Sequence, residues 1–202
     1  MPAPETRHEA RPILGHVNLM LDSFIANATA DDLRAVVRTM LATSPPAVTS
    51  AFTTAARRHL EKVNARTPPT RVKLFVRLND GTSRPSAELP HALRRARVLY
   101  GAGMGFTSLG VLTGFVRATI GLRWEEDSEI ADVLAAIDAD ITQAIQSSKE
   151  EMAAGSVTDI AAARTAVGEL HAALIDSSRD VESWNGEFPF ERAVASIQYW
   201  KL

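Results

Sequence analysis

From Ile13 to Trp200 the apolar residues recur at intervals of three and four, and only one run, Val72, Leu74, Val76 and Leu78, keeps an interval of two. The first spacing lays an apolar stripe along a helix, whereas a half-buried strand requires alternation, so helices must pack on helices through most of this chain. Its 202 residues, 46% of them apolar, are enough to bury a sizeable core. The fold expected is all-α: an irregular helical bundle of about 7–8 helices with a long antiparallel helical hairpin in the C-terminal half.

Residues 1–12 are polar and read as a flexible tail, and 13–202 as a single helical domain. Ile13, Val17, Met20, Leu21 and Phe24 make one face of a helix over 13–26. Thr29 precedes Asp31 and Asp32, a capping oxygen with acids in the first turn, and predicts a second helix over 30–43 on the stripe Leu33, Val36, Val37, Met40 and Leu41. Ser44-Pro45-Pro46 stops it and opens a third over 45–64, completing an N-terminal three-helix unit, 13–64. Residues 65–90 hold four prolines and form a Pro-rich linker. The alternating run from Val72 ends at Asn79-Asp80-Gly81 and would suit a strand, but no second strand stands out to pair with it, so a short helix or an extended segment is expected.

A C-terminal helical unit spans 91–202. The stripe Ile130, Val133, Leu134, Ile137, Ile141, Ile145 and Met152 defines a helix over 127–153, which Gly155 ends. Ser156 with Asp159 resembles a capping box, and Ile160, Val167, Leu170 and Leu174 carry the return arm towards residue 180. Asn185-Gly186 breaks the chain, and Phe188, Phe190, Val194, Ile197 and Trp200 form an aromatic end expected to dock on the bundle.

Charge is unevenly divided. Residues 1–123 carry 17 of the 22 Lys and Arg but 8 of the 24 acids, so a net −2 hides halves of +9 and −11. Eleven cations, Arg57, Arg58, Lys62, Arg66, Arg71, Lys73, Arg77, Arg84, Arg94, Arg95 and Arg97, face only Glu61, Asp80 and Glu88 in the same stretch, and they are the candidate partner-binding residues. Clustered arginines neutralise phosphates, but only Phe75 and Tyr100 lie nearby for base stacking. An acidic protein surface is the better match, and the nearest is the chain's own C-terminal half. Arg117 and Arg123 are expected near Glu125, Glu126 and Asp127.

Catalytic and metal chemistry finds little purchase. The chain has no Cys, its five His are scattered, and Asp138 and Asp140, two apart on one helix, point to different sides. The glycines at 101, 103 and 105 do not follow the spacing of a dinucleotide or phosphate loop, and Ser108 lacks the Gly-x-Ser-x-Gly setting. No catalytic residue, cofactor or metal is assigned. Val98 to Val116 is uncharged over 19 positions, long enough for a bilayer, but five glycines and arginines on both flanks favour a buried hairpin with a tight junction at 101–105. The pair Gly110 and Gly114 has the small-residue spacing of close helix approach.

The function expected is therefore that of a non-catalytic helical scaffold or adaptor. Its partner would be a protein with an acidic or apolar helical surface, a second copy of the chain included. Nucleic-acid association through Arg57–Arg97 is the alternative, and membrane association through 98–116 a further one. The absence of a signal-like apolar segment at the start suggests a cytoplasmic or nuclear location.

Overall fold

The computed structural model describes residues 19–66, 73–78 and 81–200. Eight helices and one two-stranded sheet are found among them: α1 (Leu19–Asn27), α2 (Ala30–Thr43), α3 (Pro46–Arg66), β1 (Phe75–Arg77), β2 (Ser83–Pro85), α4 (Leu89–Gly101), α5 (Gly105–Thr119), α6 (Glu129–Ala153), α7 (Ile160–Glu182) and α8 (Glu191–Gln198). The protein is an all-α helical bundle. The chain divides into two compact units between Ser50 and Ala51, inside α3. The proposed tail and residues 13–18 lie outside the described residues.

In the first unit the local rules hold. Thr29 caps α2 and accepts the Asp32 amide while the Asp32 carboxylate returns to the Thr29 N–H, a complete capping box. α2 buries no residue.

The second unit contains the core, a cluster running from Leu74 to Ile197. Ile130, Leu134, Ile137, Ile141 and Ile145 of α6 are all at most 1% exposed, as their stripe requires. Leu170 and Leu174 of α7 are equally buried, but Ile160 at the start of the same stripe is 40% exposed. The arms of the hairpin, α6 and α7, are joined by a turn in which Gly155 takes φ +65°, and α5 packs extensively against both. Asp159 itself caps α7, accepting the Ala162 amide at 2.9 Å, in place of the expected Ser156. The aromatic end docks as its pattern implies: Phe190 is fully buried, and the Trp200 and Phe106 rings lie 5.8 Å apart.

The Pro-rich segment corrects one expectation. Its alternating run does form a strand, and the missing partner is Ser83–Pro85, paired antiparallel in the register Phe75 to Pro85, Val76 to Arg84 and Arg77 to Ser83. Ser, Arg and Pro are poor strand formers, so this partner carried no signal of its own. The turn supplies what propensity lacks: Leu78 N–H donates to the Thr82 carbonyl at 2.8 Å and Gly81 adopts φ +87°.

The uncharged run 98–116 is divided between α4 and α5 by a break at Ala102–Met104, and Leu99, Leu109, Leu112, Phe115 and Val116 face the core. No helix among the described residues is long and apolar enough to cross a membrane. Gly105 is the close-approach glycine, because a Cβ there would strike the Ser148 backbone. Gly110 and Gly114 have nothing within 4 Å of that position, so their spacing does not mark a helix contact.

Candidate functional site

Among the described residues, three of the eleven candidate cations meet groups of the chain itself. Arg57 is spent inside the second unit: one guanidinium nitrogen donates to the Gly103 carbonyl at 2.9 Å and another meets Glu151 Oε1 at 2.7 Å. Arg97 clasps Asp140, its Nε 3.0 Å from both carboxylate oxygens, and Tyr100 donates its hydroxyl to the same carboxylate at 2.9 Å. Arg77 donates to the Gly121 carbonyl. Arg66 and Arg71 offer no described side chain, and Arg95 is exposed on α4. Arg58, Lys62, Lys73, Arg84 and Arg94 are exposed and make no ion pair among the described residues.

Charge complementarity within the chain is real but runs through other residues than expected. Four ion pairs join the basic and acidic halves: Arg57 with Glu151, Arg97 with Asp140, Arg117 with Glu169, and Arg123 with Asp180. Arg117 and Arg123 therefore reach α7, not the acids at 125–127. The carboxylate of Glu151 also accepts the Phe106 amide at 3.4 Å, so a side chain already occupies the first turn of α5 where an anion would sit.

A concavity lies elsewhere, where the segment entering α6 meets the segment between α7 and α8. It is a cleft of about 550 Å³ walled by Trp124, Trp184 and Phe188. Five carboxylates, Glu126, Asp132, Asp138, Glu187 and Glu191, line it against the single cation Arg192. No three His, Asp or Glu side chains among the described residues are placed to hold a metal ion together.

Each wall has a structural cause. Asp180 Oδ2 receives the Gly121 amide at 3.0 Å and the Arg123 guanidinium at 3.1 Å, and this tethers the chain just before Trp124. Trp124 and Trp184 meet edge to face, centroids 5.0 Å apart at 80°. Arg123 stacks 5.3 Å from the Trp184 ring. After α7 the chain turns through Asn185 at φ +62°, and Gly186 lets the backbone lie against Trp184, where any Cβ would enter the ring. Trp184 Nε1 is buried and has no acceptor among the described residues.

No protein-family model, curated protein or solved structure matches this chain. The cleft must be read from its own chemistry.

Two of its carboxylates are shifted upward. Asp138, only 5% exposed, is pushed above the usual aspartate range by burial, although its Oδ1 accepts the Ala193 amide at 2.8 Å and so fixes the start of α8. Asp138 and Asp140 do serve opposite sides of α6, the one holding α8 and the other α4. Glu187 is raised because its carboxyl is within hydrogen-bonding reach of Glu126 and faces that neighbour's negative charge, with smaller contributions from desolvation and Glu191. Glu126, in the segment before α6, turns to Glu187, far along the chain. What the sequence offered towards this cleft was two of its three Trp flanking an acid-rich segment and a glycine turn.

Proposed function

We propose that the chain is a non-catalytic helical scaffold or adaptor whose N-terminal helices are completed by an apolar helix of a protein partner. The observation supporting this is that no described residue from Leu21 to Val63 is buried. That stretch nevertheless keeps its apolar stripes, with Leu21 55%, Ile25 53%, Val36 49% and Met40 40% exposed. Isolated helices shorter than about 12–15 residues are marginal in water. At 14 residues and with no buried residue, α2 depends on cover for most of its helicity. Covering apolar surface returns about 25 cal/mol per Å², so a partner helix laid on these stripes is strongly favoured. A cytoplasmic or nuclear location goes with this reading.

The test is light scattering behind size exclusion on the full chain, alongside affinity capture at low and high salt. A self-associated species or a stoichiometric partner, lost in Val36→Glu/Met40→Glu, is expected. A monomer that captures nothing, or binding indifferent to both substitutions, removes the reading.

Nucleic-acid association is the second reading, favoured by the exposed and unpaired Arg58, Lys62 and Arg94. Arg97 is the wrong probe because it holds Asp140. Reversal of Arg58 and Arg94 to Glu should abolish salt-sensitive binding of a duplex, and binding that survives unchanged would end the idea.

A further inference from the structure

The cleft between Trp124, Trp184, Glu126 and Glu187 does not depend on the N-terminal helices, and its chemistry selects a ligand. We infer that it is a binding site for an alkylammonium group, the cation carried by a lysine side chain or by a free diamine.

Three features of the cleft converge on this class. The lining is strongly anionic, five carboxylates against Arg192, which favours a cation over any neutral or acidic ligand. The walls are aromatic, and the negative face of an indole attracts a cation within about 6 Å of its centroid. Trp184 already demonstrates that use with Arg123, which is not among the residues lining the cleft. Finally, Glu126 and Glu187 approach closely enough to share a hydrogen bond, although both are exposed acids that would otherwise separate. Their mutual repulsion is relieved by a cation seated between them.

The geometry also separates cation types. A guanidinium is best met by one carboxylate in its own plane, whereas an ammonium directs three N–H groups to acceptors on different sides. Glu126 comes from the segment before α6, Glu187 from the segment after α7 and Glu191 from the first turn of α8, so three separate segments of the lining supply acceptors. A divalent metal would require several oxygens converging on one point, and no such group occurs among the described residues. The volume of about 550 Å³ exceeds a single ammonium and leaves room for its alkyl chain along Trp124 and Phe188.

Glu187, raised by its neighbour Glu126, couples binding to pH. The groups facing the pair are Glu191 and Arg192 of α8, Asp132 and Asp138 of α6, and the indoles of Trp124 and Trp184. Affinity should rise with pH across the carboxylate range, because deprotonation frees the seat.

The experiment is calorimetric titration of the full chain with 1,5-diaminopentane, with tryptophan fluorescence in parallel. A lysine-containing peptide, a matched arginine peptide and Mg²⁺ are the comparison ligands. Saturable binding with altered tryptophan emission is expected. Glu126→Gln/Glu187→Gln, both exposed positions that leave the core untouched, should weaken it at least ~tenfold. Trp184→Phe keeps an aromatic wall and should weaken it less. Binding of the diamine alone assigns a free amine, and binding of the lysine peptide alone assigns a protein side chain. No saturable binding of either, equal binding of Mg²⁺ or the arginine peptide, or an unchanged Glu126→Gln/Glu187→Gln variant would overturn the inference.

Discussion

Gly105 has no room for a side chain, since a Cβ would meet the Ser148 backbone of α6. Gly105→Ala should therefore cost about 1–3 kcal/mol through overpacking. Gly110→Ala and Gly114→Ala, in open space within the same helix, should stabilise by about 0.5–1 kcal/mol as backbone entropy is removed from the unfolded chain. Denaturant unfolding of the three variants checks the contrast, and equal shifts would contradict the packing. Tyr100 offers a second residue-level test. Burial first, then the hydrogen bond to Asp140, pushes its hydroxyl up to about 12 from 10.0. The folded state thus prefers the neutral phenol, so the stability this provides is complete below pH 10 and fades as pH rises through about 12. Absorbance titration should show a tyrosine ionising near that value, and Asp140→Asn should move it back towards 10; an unmoved midpoint would show that Asp140 is not involved.

At the scale of elements, the connections are made by a few buried or half-buried carboxylates. Asp140 fastens α4 to α6, Asp138 fastens α8 to α6, and Glu151 receives α3 through Arg57. The Asp140 side chain is 8% exposed, so Arg97→Ala leaves a nearly buried carboxylate without its cation and with the Tyr100 hydroxyl as its remaining side-chain donor, and the expected cost is about 1–3 kcal/mol. Arg94→Ala, three residues away on the exposed face of α4, should change stability by less than about 0.5 kcal/mol. Thermal unfolding of the two variants distinguishes a structural arginine from a surface one, which their common place in a basic run conceals. The helices themselves were legible from spacing and caps: α2 begins after Thr29, α3 at Pro46, and Gly155 ends the long arm. The sheet was not, because Ser83–Pro85 pairs through a register set by the turn at Gly81 and not by its own composition.

For the molecule as a whole, the position of the buried apolar residues along the chain has a direct consequence. All buried apolar residues of the described chain lie between Leu74 and Ile197. Val36→Glu/Met40→Glu should accordingly leave the unfolding of the core unchanged to within about 0.5 kcal/mol while abolishing association. Calorimetry and light scattering on the same sample read both, and a variant that unfolds the core would show that these helices belong to it. The charge division between the halves resolves in the same way: part of it is spent on four internal ion pairs and part is concentrated in the cleft. Sequence alone determined the all-α class, most helix limits and the buried stripes of α6 and α7, because periodicity and capping act over a few neighbouring residues. Only the tertiary structure decided which arginines are spent inside, that α5 packs on both arms of the hairpin, and that Glu126 meets Glu187 beside two tryptophans. Those pairings join residues tens of positions apart, and local spacing carries no information about which distant helix face a side chain will meet.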